Sequence, residues 1–135
     1  MRIFSKSKDG GPTSPVDAYF LIENKKLFSI ALLKFNKGGR EAFHTHAFNA
    51  YTWFLWGNLI EECYDERPYY KYKRSLKPKY TPREHNHRVS AFTDSWCLTI
   101  RGPWIKTWTE DQNGIKTTFT WGRKVLERVR NGKTQ

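Results

Sequence analysis

The sequence predicts an all-β domain, and three observations support this. Aromatic residues make up 16% of the 135 residues, and such side chains fit the half-buried surface of a sheet. Short apolar segments alternate with turn residues along the chain. Helical periodicity is confined to the C-terminal part. Many short strands joined by tight turns are typical of a sandwich or barrel, and the length fits one domain.

The elements follow from local composition. Residues 1–16 contain Gly and Pro turn signals, so we expect an N-terminal arm followed by a barrel domain over residues 17–135. Strands are predicted at residues 19–22, 27–35, 43–48, 51–56, 59–64, 69–73, 87–92, 96–100, 104–109 and 115–121. Asn113-Gly114 predicts a tight hairpin. Residues 122–130 place Val125, Leu126 and Val129 on one face, which predicts a short C-terminal helix.

The charge balance indicates an anionic partner. The sequence contains 24 Lys and Arg and 13 Asp and Glu, which gives a net charge of +11. The positive electrostatic field of such a chain attracts anions. We expect a small anionic substrate. Nucleic acid is a weaker expectation, because no established nucleic-acid motif accompanies the charge. The basic and aromatic run at residues 69–74 suits base stacking and equally suits an edge strand guarded by lysines.

The compartment is predicted from what the sequence lacks. It contains no apolar run of membrane-spanning length and no signal-peptide pattern at its N-terminus, so we expect no membrane partner. Cys63 and Cys97 form no CxxC pair and no disulfide framework, which favours a reducing compartment. The expected location is cytoplasmic.

All four histidines fall in two His-x-His pairs, His44 with His46 and His85 with His87. Residues two apart in a strand point to the same face, so each pair can direct two imidazoles into one space. Imidazole is a common ligand for iron, zinc, copper and nickel. Two neighbouring strands of a barrel would then supply three or four nitrogens to one metal ion.

The surroundings of these pairs resemble the motifs of the cupin superfamily. Gly38 is followed by five residues, then His44-Thr45-His46, and Gly57 closes the segment. The second motif contains Pro-x-Gly-x-x-His, and residues 82–87 keep its Pro and His at the right spacing. The resemblance spans roughly residues 38 to 100. It implies a single-domain double-stranded β-helix, or jelly-roll barrel, and homodimers are frequent in such proteins.

Two departures from the family pattern bear on the site. Ala50 or Tyr51 stands where the first motif has a glutamate, and Glu84 replaces the glycine of the second. The first loss implies a three-histidine centre, similar to that of the thiol dioxygenases, which bind ferrous iron.

The ligand set expected on this basis is His44, His46 and His87. His85 or Glu84 is a further candidate, either as a fourth ligand or as a residue that orients one. Iron(II) is the expected metal, with nickel, manganese and zinc as alternatives. Glu61 and Glu62 lie beyond Gly57 and are weaker candidates.

Other residues are assigned by type and position. Arg101 ends a strand that should line the barrel, and its guanidinium suits bidentate contact with a carboxylate or phosphate; a surface ion pair is an equal alternative. Tyr51 is expected to offer a hydrogen bond inside the barrel. Trp53 and Trp104 are either pocket walls or core residues.

Three functions are compatible with these residues. The leading hypothesis is an iron-dependent oxygenase that acts on a small anionic substrate, using Arg101 and Tyr51. The second is a non-catalytic module that binds a ligand or a nucleic acid. The third is an isomerase or epimerase acting on a sugar nucleotide, with His85 as general base.

Overall fold

A computed structural model describes residues 1–39, 42–64, 70–130 and 133–134. The part of the chain so described is built almost wholly from strands. Their bounds are β1 Arg2–Lys8, β2 Val16–Glu23, β3 Ser29–Phe35, β4 Gly38–Gly39, β5 Phe43–His44, β6 Ala50–Trp56, β7 Leu59–Cys63, β8 Tyr70–Tyr72, β9 Lys79–Thr81, β10 His87–Ala91, β11 Ser95–Arg101, β12 Thr107–Gln112, β13 Ile115–Thr120, β14 Lys124–Arg130 and β15 Lys133–Thr134. One 3-10 turn, Trp121–Arg123, precedes β14. The predicted all-β fold is confirmed.

The strands form two antiparallel sheets. The first sheet has six strands in the order β1-β2-β3-β11-β6-β9. The second runs β15-β14-β13-β12-β5-β10-β7-β8, and β4 also pairs with β10. The chain passes repeatedly between the sheets, so strands distant in sequence become neighbours.

The core is made by alternate residues of both sheets. Every second residue of a strand points to the same face, and on β2, β3 and β11 those residues are apolar or small except for Arg101 at the end of β11. The core cluster comprises Val16, Ala18, Phe20, Ala31, Leu33, Leu59, Ala91 and Cys97. The inward faces therefore enclose the space into which the site residues project.

The hairpin predicted at Asn113-Gly114 joins β12 and β13, whose residues pair in continuous register. Asn113 and Gly114 have φ values of 53° and 74°. Two successive positive φ angles are what a two-residue hairpin requires, and Asn-Gly tolerates them. Here local sequence alone determines the turn.

The predicted C-terminal helix is wrong. Residues 124–130 form strand β14, which pairs with β13 from Lys124 to Arg130. The spacing of Val125, Leu126 and Val129 fits a helix. Val nevertheless favours strands, and the backbone N–H and C=O groups of this segment pair with β13 rather than with one another along a helix. Gly122, at φ 77°, turns the chain back onto β13.

The N-terminal arm also differs from expectation. Residues 2–8 form β1, which pairs with β2 from Arg2 opposite Glu23 to Lys8 opposite Asp17. The Gly and Pro residues at 10–15 mark the turn between these strands rather than a loose extension. The segment is an edge strand of the first sheet.

Two further points concern predicted segments. The strand predicted at residues 69–73 appears as β8, Tyr70–Tyr72, and Tyr69 lies outside the described residues. None of the described residues belongs to a helix that is long and apolar enough to cross a membrane.

Candidate metal centre

Three histidines converge at one end of the barrel interior. His44 on β5 lies directly opposite His87 on β10, and His46 follows two residues later. The ring centroids are 4.9 Å apart for His44 and His46, 5.0 Å for His44 and His87, and 4.9 Å for His46 and His87. One ring nitrogen from each lies within 4.8 Å of the others. The structure thus brings together the three residues that the sequence pattern selected.

The donor set fits a metal ion. The Nε2 atoms of His46 and His87 lie 3.3 Å apart, a separation that two nitrogens about 2.1 Å from one tetrahedral ion would show. Burial, with the neighbouring charges of His44 and His87, holds the pKa of His46 well below its ordinary value. Burial also lowers the pKa of His87, although Glu61 opposes that shift. Both rings are therefore neutral near pH 7, the form that binds metals.

Glu61 on β7 contacts His87 on the side of the ring opposite Nε2. Its side chain is 2% exposed, and Oε2 accepts a hydrogen bond from His87 Nδ1. A carboxylate that accepts a hydrogen bond from Nδ1–H fixes the ring orientation and leaves Nε2 as the ligand atom. Glu61 is a positioning residue in this arrangement.

Glu61 is also the hub of a wider buried network. Oε1 accepts a hydrogen bond from Tyr72 at 2.9 Å and contacts Lys79 Nζ, and His85 Nε2 lies 3.3 Å from Oε2. Burial disfavours the Glu61 carboxylate, but the hydrogen bonds from His85 and His87 and the charge of Lys79 outweigh it and hold its pKa far below its usual range. Glu61 is therefore ionised throughout the physiological range.

Sequence reasoning undervalued Glu61. It alternates with Leu59 on the inward face of β7, whereas Glu62 points the other way and pairs with Arg88 at 2.8 Å. A glutamate at an inward position of a strand must be paired when it is buried, and this could have pointed to Glu61 as a residue of the site. The sequence does not show which strand it would face.

His85 lies on the Glu61 side of His87 rather than with His44 and His46. Its Nε2 is 3.7 Å from Cys63 Sγ, and Glu61, His85 and His87 form a second group whose ligand atoms lie within 4.8 Å of one another. His85 is therefore placed to share the Glu61 carboxylate, and its candidacy as a fourth ligand stays a prediction.

Two spaces meet at the histidines. An inner cavity of about 100 Å³ lies between the sheets, and an outer cleft of about 390 Å³ opens to solvent. Four residues line both spaces: Asp9, His46, Phe48 and Arg101. A molecule entering the cleft would reach the histidines at this junction.

Arg101 lies inside the barrel and is ion-paired there with Asp9, whereas the sequence left an anion-binding role and a surface ion pair equally open. It is 3% exposed, its Nη2 donates to Asp9 Oδ2 at 2.7 Å, and its guanidinium lies over the Phe48 ring at 4.4 Å. Among the described residues, its buried Nε has no hydrogen-bond partner. A donor left unpaired beside the histidines suits a bound anion.

The position expected for Tyr51 is wrong. Ala50 and Thr52 line the inner cavity, so the alternation of β6 turns Tyr51 outward. Tyr51 is 50% exposed, and its ring packs against Tyr80 at 5.0 Å. Trp53 shares this outward orientation. Trp104 does line the cleft, with Lys25 Nζ 4.6 Å from its ring centroid.

Comparisons with known proteins agree with this architecture. No family model and no curated protein sequence matches the chain. Solved structures do match. A sugar phosphate isomerase from the cupin superfamily of Silicibacter pomeroyi has a TM-score of 0.66 at 11% identity, covering 98% of this chain and 92% of its own.

Two further structures match smaller parts of the chain. An RmlC-like cupin from Shewanella frigidimarina has a TM-score of 0.56 at 15% identity, over 74% of this chain and 84% of its own. Ectoine synthase from P. lautus has a TM-score of 0.57 at 14% identity, over 72% and 70%. At these identities the likeness concerns the fold.

Proposed function

We propose that this chain, which has the cupin fold, is a metal-dependent enzyme acting on a small anionic molecule. The observation that carries the proposal is the junction of cleft and cavity. There, one ring nitrogen from each of three histidines lies within 4.8 Å of the others, and Arg101, whose Nε is unpaired among the described residues, lines the same opening. Ligand pockets combine such convergent polar groups with apolar walls.

The metal would be held by His44, His46 and His87. Iron(II) is the ion we propose, with nickel, manganese and zinc as alternatives, since imidazole suits several of them. Bound iron(II) with three protein ligands would supply open coordination positions for substrate and dioxygen. Glu61 supports this centre by fixing the His87 ring, and its negative charge lies on the far side of that ring.

The chain's own residues would bind and shield the substrate. Arg101 would hold the acidic group, because its guanidinium is buried, already oriented by Asp9, and has a free donor. Together with Arg101, the basic residues Arg2, Lys8, Lys25 and Arg123 line this cleft against the carboxylates of Asp9, Glu23 and Glu110. The excess of positive charge at the entrance favours anions. Phe48 lies beside both His46 and Arg101 and would exclude water from the junction.

The reaction we favour is oxidation of the substrate with dioxygen. Glu61, the inward carboxylate of the site, is engaged on the Nδ1 side of His87, which would leave a centre of three imidazole ligands. That donor set is similar to the thiol dioxygenase centre and differs from the two-histidine, one-carboxylate triad of other iron oxygenases.

An isomerase or epimerase is the second candidate. It is favoured by the likeness to the Silicibacter pomeroyi structure, whose name gives a sugar phosphate isomerase. Its proposed base, His85, contacts Glu61 and does not line the inner cavity or the outer cleft. Proton transfer at the substrate would need another group, which makes this candidate the weaker one.

The test uses protein reconstituted anaerobically with iron(II) and a panel of small carboxylates, thiol carboxylates and sugar phosphates. Oxygen uptake on an electrode with one of these compounds, abolished in His46→Ala, supports the oxygenase. Conversion of a sugar phosphate without oxygen uptake overturns it in favour of the isomerase. Binding without turnover, unchanged after chelation, overturns the enzyme proposal itself.

A further inference from the structure

One lysine of the outer cleft has no acidic partner. Most of the basic residues that line the cleft are engaged by carboxylates: Arg2 with Glu23 at 3.6 Å, Lys8 with Asp17 at 2.8 Å, Arg123 with Glu110 at 3.0 Å, and Arg101 with Asp9 at 2.7 Å. Among the described residues of the cleft, Lys25 is the cation that forms no ion pair with a carboxylate. Its charge is therefore available to a bound anion.

Two tryptophans hold Lys25 in position. It lies in the turn between β2 and β3, where its carbonyl oxygen accepts a hydrogen bond from the Trp104 N–H at 2.8 Å. Its ammonium lies 4.6 Å from the Trp104 ring centroid and 5.9 Å from that of Trp121, and the two indoles meet at 82°. A lysine fixed in this way loses less side-chain freedom on binding an anion than a mobile one. Lys25 is thus a preorganised positive charge.

An aromatic wall leads from Lys25 to the histidines. Trp104 packs against Phe48 with ring centroids 5.5 Å apart, and Phe48 lies 5.5 Å from the His46 ring. The Arg101 guanidinium lies 4.4 Å from the same Phe48 ring, and all these side chains line the cleft. The cleft therefore has a positive group at each end of this wall. Arg101 is buried beside the histidines, and Lys25 is only partly buried, on the solvent side.

The size of the cleft suits a molecule that reaches both positive groups. Its volume is about 390 Å³, against about 100 Å³ for the inner cavity. Ligand sites of about 300–1,000 Å³ enclose molecules larger than a short-chain acid. A single carboxylate bound at Arg101 would leave most of the cleft filled with water and Lys25 without a partner.

We propose that the substrate carries two anionic groups joined by a flat, apolar middle, as in an aromatic acid with a second carboxylate or a phosphate. One acidic group would bind Arg101 beside the metal, and the other would bind Lys25. The middle would lie against Phe48 and Trp104. An ammonium binds either kind of anion as a point charge. The inference rests on the proposed function for the position of the reacting end, and it makes Lys25 a specificity-determining residue.

The experiment measures affinity by calorimetry on protein incubated anaerobically with iron(II). Three probes share one skeleton: p-methylphenylacetate is a monoanion, whereas p-carboxyphenylacetate and p-phosphonooxyphenylacetate carry an acidic group at each end. We expect wild-type protein to bind the doubly acidic probes about 10–100-fold more tightly than the monoanion, which is the factor that a hydrogen bond between charged groups contributes. A preference for only one of them supports the proposal and identifies the second group as carboxylate or phosphate.

Variants at Lys25 assign this preference to its charge. Lys25→Met should abolish the preference and leave monoanion affinity within about 2-fold of wild type, because Met keeps an unbranched side chain over Trp104 without the charge. Lys25→Arg should restore the preference. Lys26→Met is the matched control, since Lys26 belongs to the same turn but is exposed and does not line the cleft. It should bind all three probes as wild type does.

Three results would overturn the proposal. They are equal affinity of wild type for all three probes, no binding of either doubly acidic probe at millimolar concentration, and a preference that persists in Lys25→Met. The proposed function is tested separately, because affinity is measured without turnover. Binding through Lys25 by a protein that converts no substrate would count against the enzyme proposal alone. Turnover of monoanions with no preference for a second acidic group would overturn the present inference alone.

Discussion

Replacing Glu61 with Gln tests how the metal centre is held in place. The substitution keeps the shape of the side chain but removes the charge that accepts from His87 Nδ1. The amide can present its NH₂ group to that nitrogen, and His87 then loses the orientation that leaves Nε2 as the ligand atom. Loss of such a supporting carboxylate typically weakens metal binding 10–100-fold, or about 1.4–2.8 kcal/mol.

The assay is competition with a chelator, with cobalt(II) as a spectroscopic substitute for the resident ion. Glu62→Gln is the matched control, because Glu62 lies on the same strand but pairs with Arg88 on the other face. We expect affinity within about 2-fold of wild type for the control. Equal losses in both variants, or unchanged affinity in Glu61→Gln, would refute the positioning role. A loss far beyond 100-fold would mean that Glu61 is itself a ligand.

Three further predictions concern stability and substrate binding. Burial holds the pKa values of His46 and His87 below 6.5, so below that pH the unfolded metal-free chain binds more protons than the folded one. Its free energy of unfolding should therefore fall as pH is lowered from about 7 to 5; urea titrations showing constant stability would contradict this. Arg101→Gln should weaken binding of an anionic substrate from the panel about 10–100-fold, because a hydrogen bond to a charged group is lost, and calorimetry showing equal affinity would remove Arg101 from the site. Gly57→Ala should cost about 1–3 kcal/mol, since Gly57 has φ 103° and an added Cβ would lie 2.7 Å from the Cα of residue 95. Gly102→Ala, whose Cβ would meet nothing closer than 3.7 Å, should be nearly neutral in the same thermal unfolding measurement.

The parts of the fold that sequence reasoning predicts well depend on local patterns. Asn113-Gly114 specifies its hairpin through backbone conformations that few other residues adopt. The spacing of His44 and His46 places two rings on one side of an extended segment, whatever the segment's neighbours are. His87 joins this pair through the pairing of β10 with β5, and the resemblance to the cupin motifs, rather than local spacing, led us to expect it there.

The parts that sequence reasoning misses depend on which face or partner a strand meets. A shift of one residue in the alternation assigned to β6 turns Tyr51 inward and Ala50 outward. Because aromatic residues also lie on the outward face of this sheet, the sequence is compatible with either alternation. Glu61 gains its role from β10, a strand distant in sequence. Residues 124–130 have helical spacing and become β14 because β13 lies beside them.

Elemental analysis of protein purified without a metal-affinity tag tests the central claim most directly. The wild-type chain and the variant His44→Ala/His46→Ala would be compared, each before and after anaerobic reconstitution with iron(II). We predict about one equivalent of iron or another divalent transition metal per wild-type chain, lost in a variant that remains folded. Wild-type protein that holds no metal even after reconstitution, or a variant that holds as much as wild type, would contradict the account.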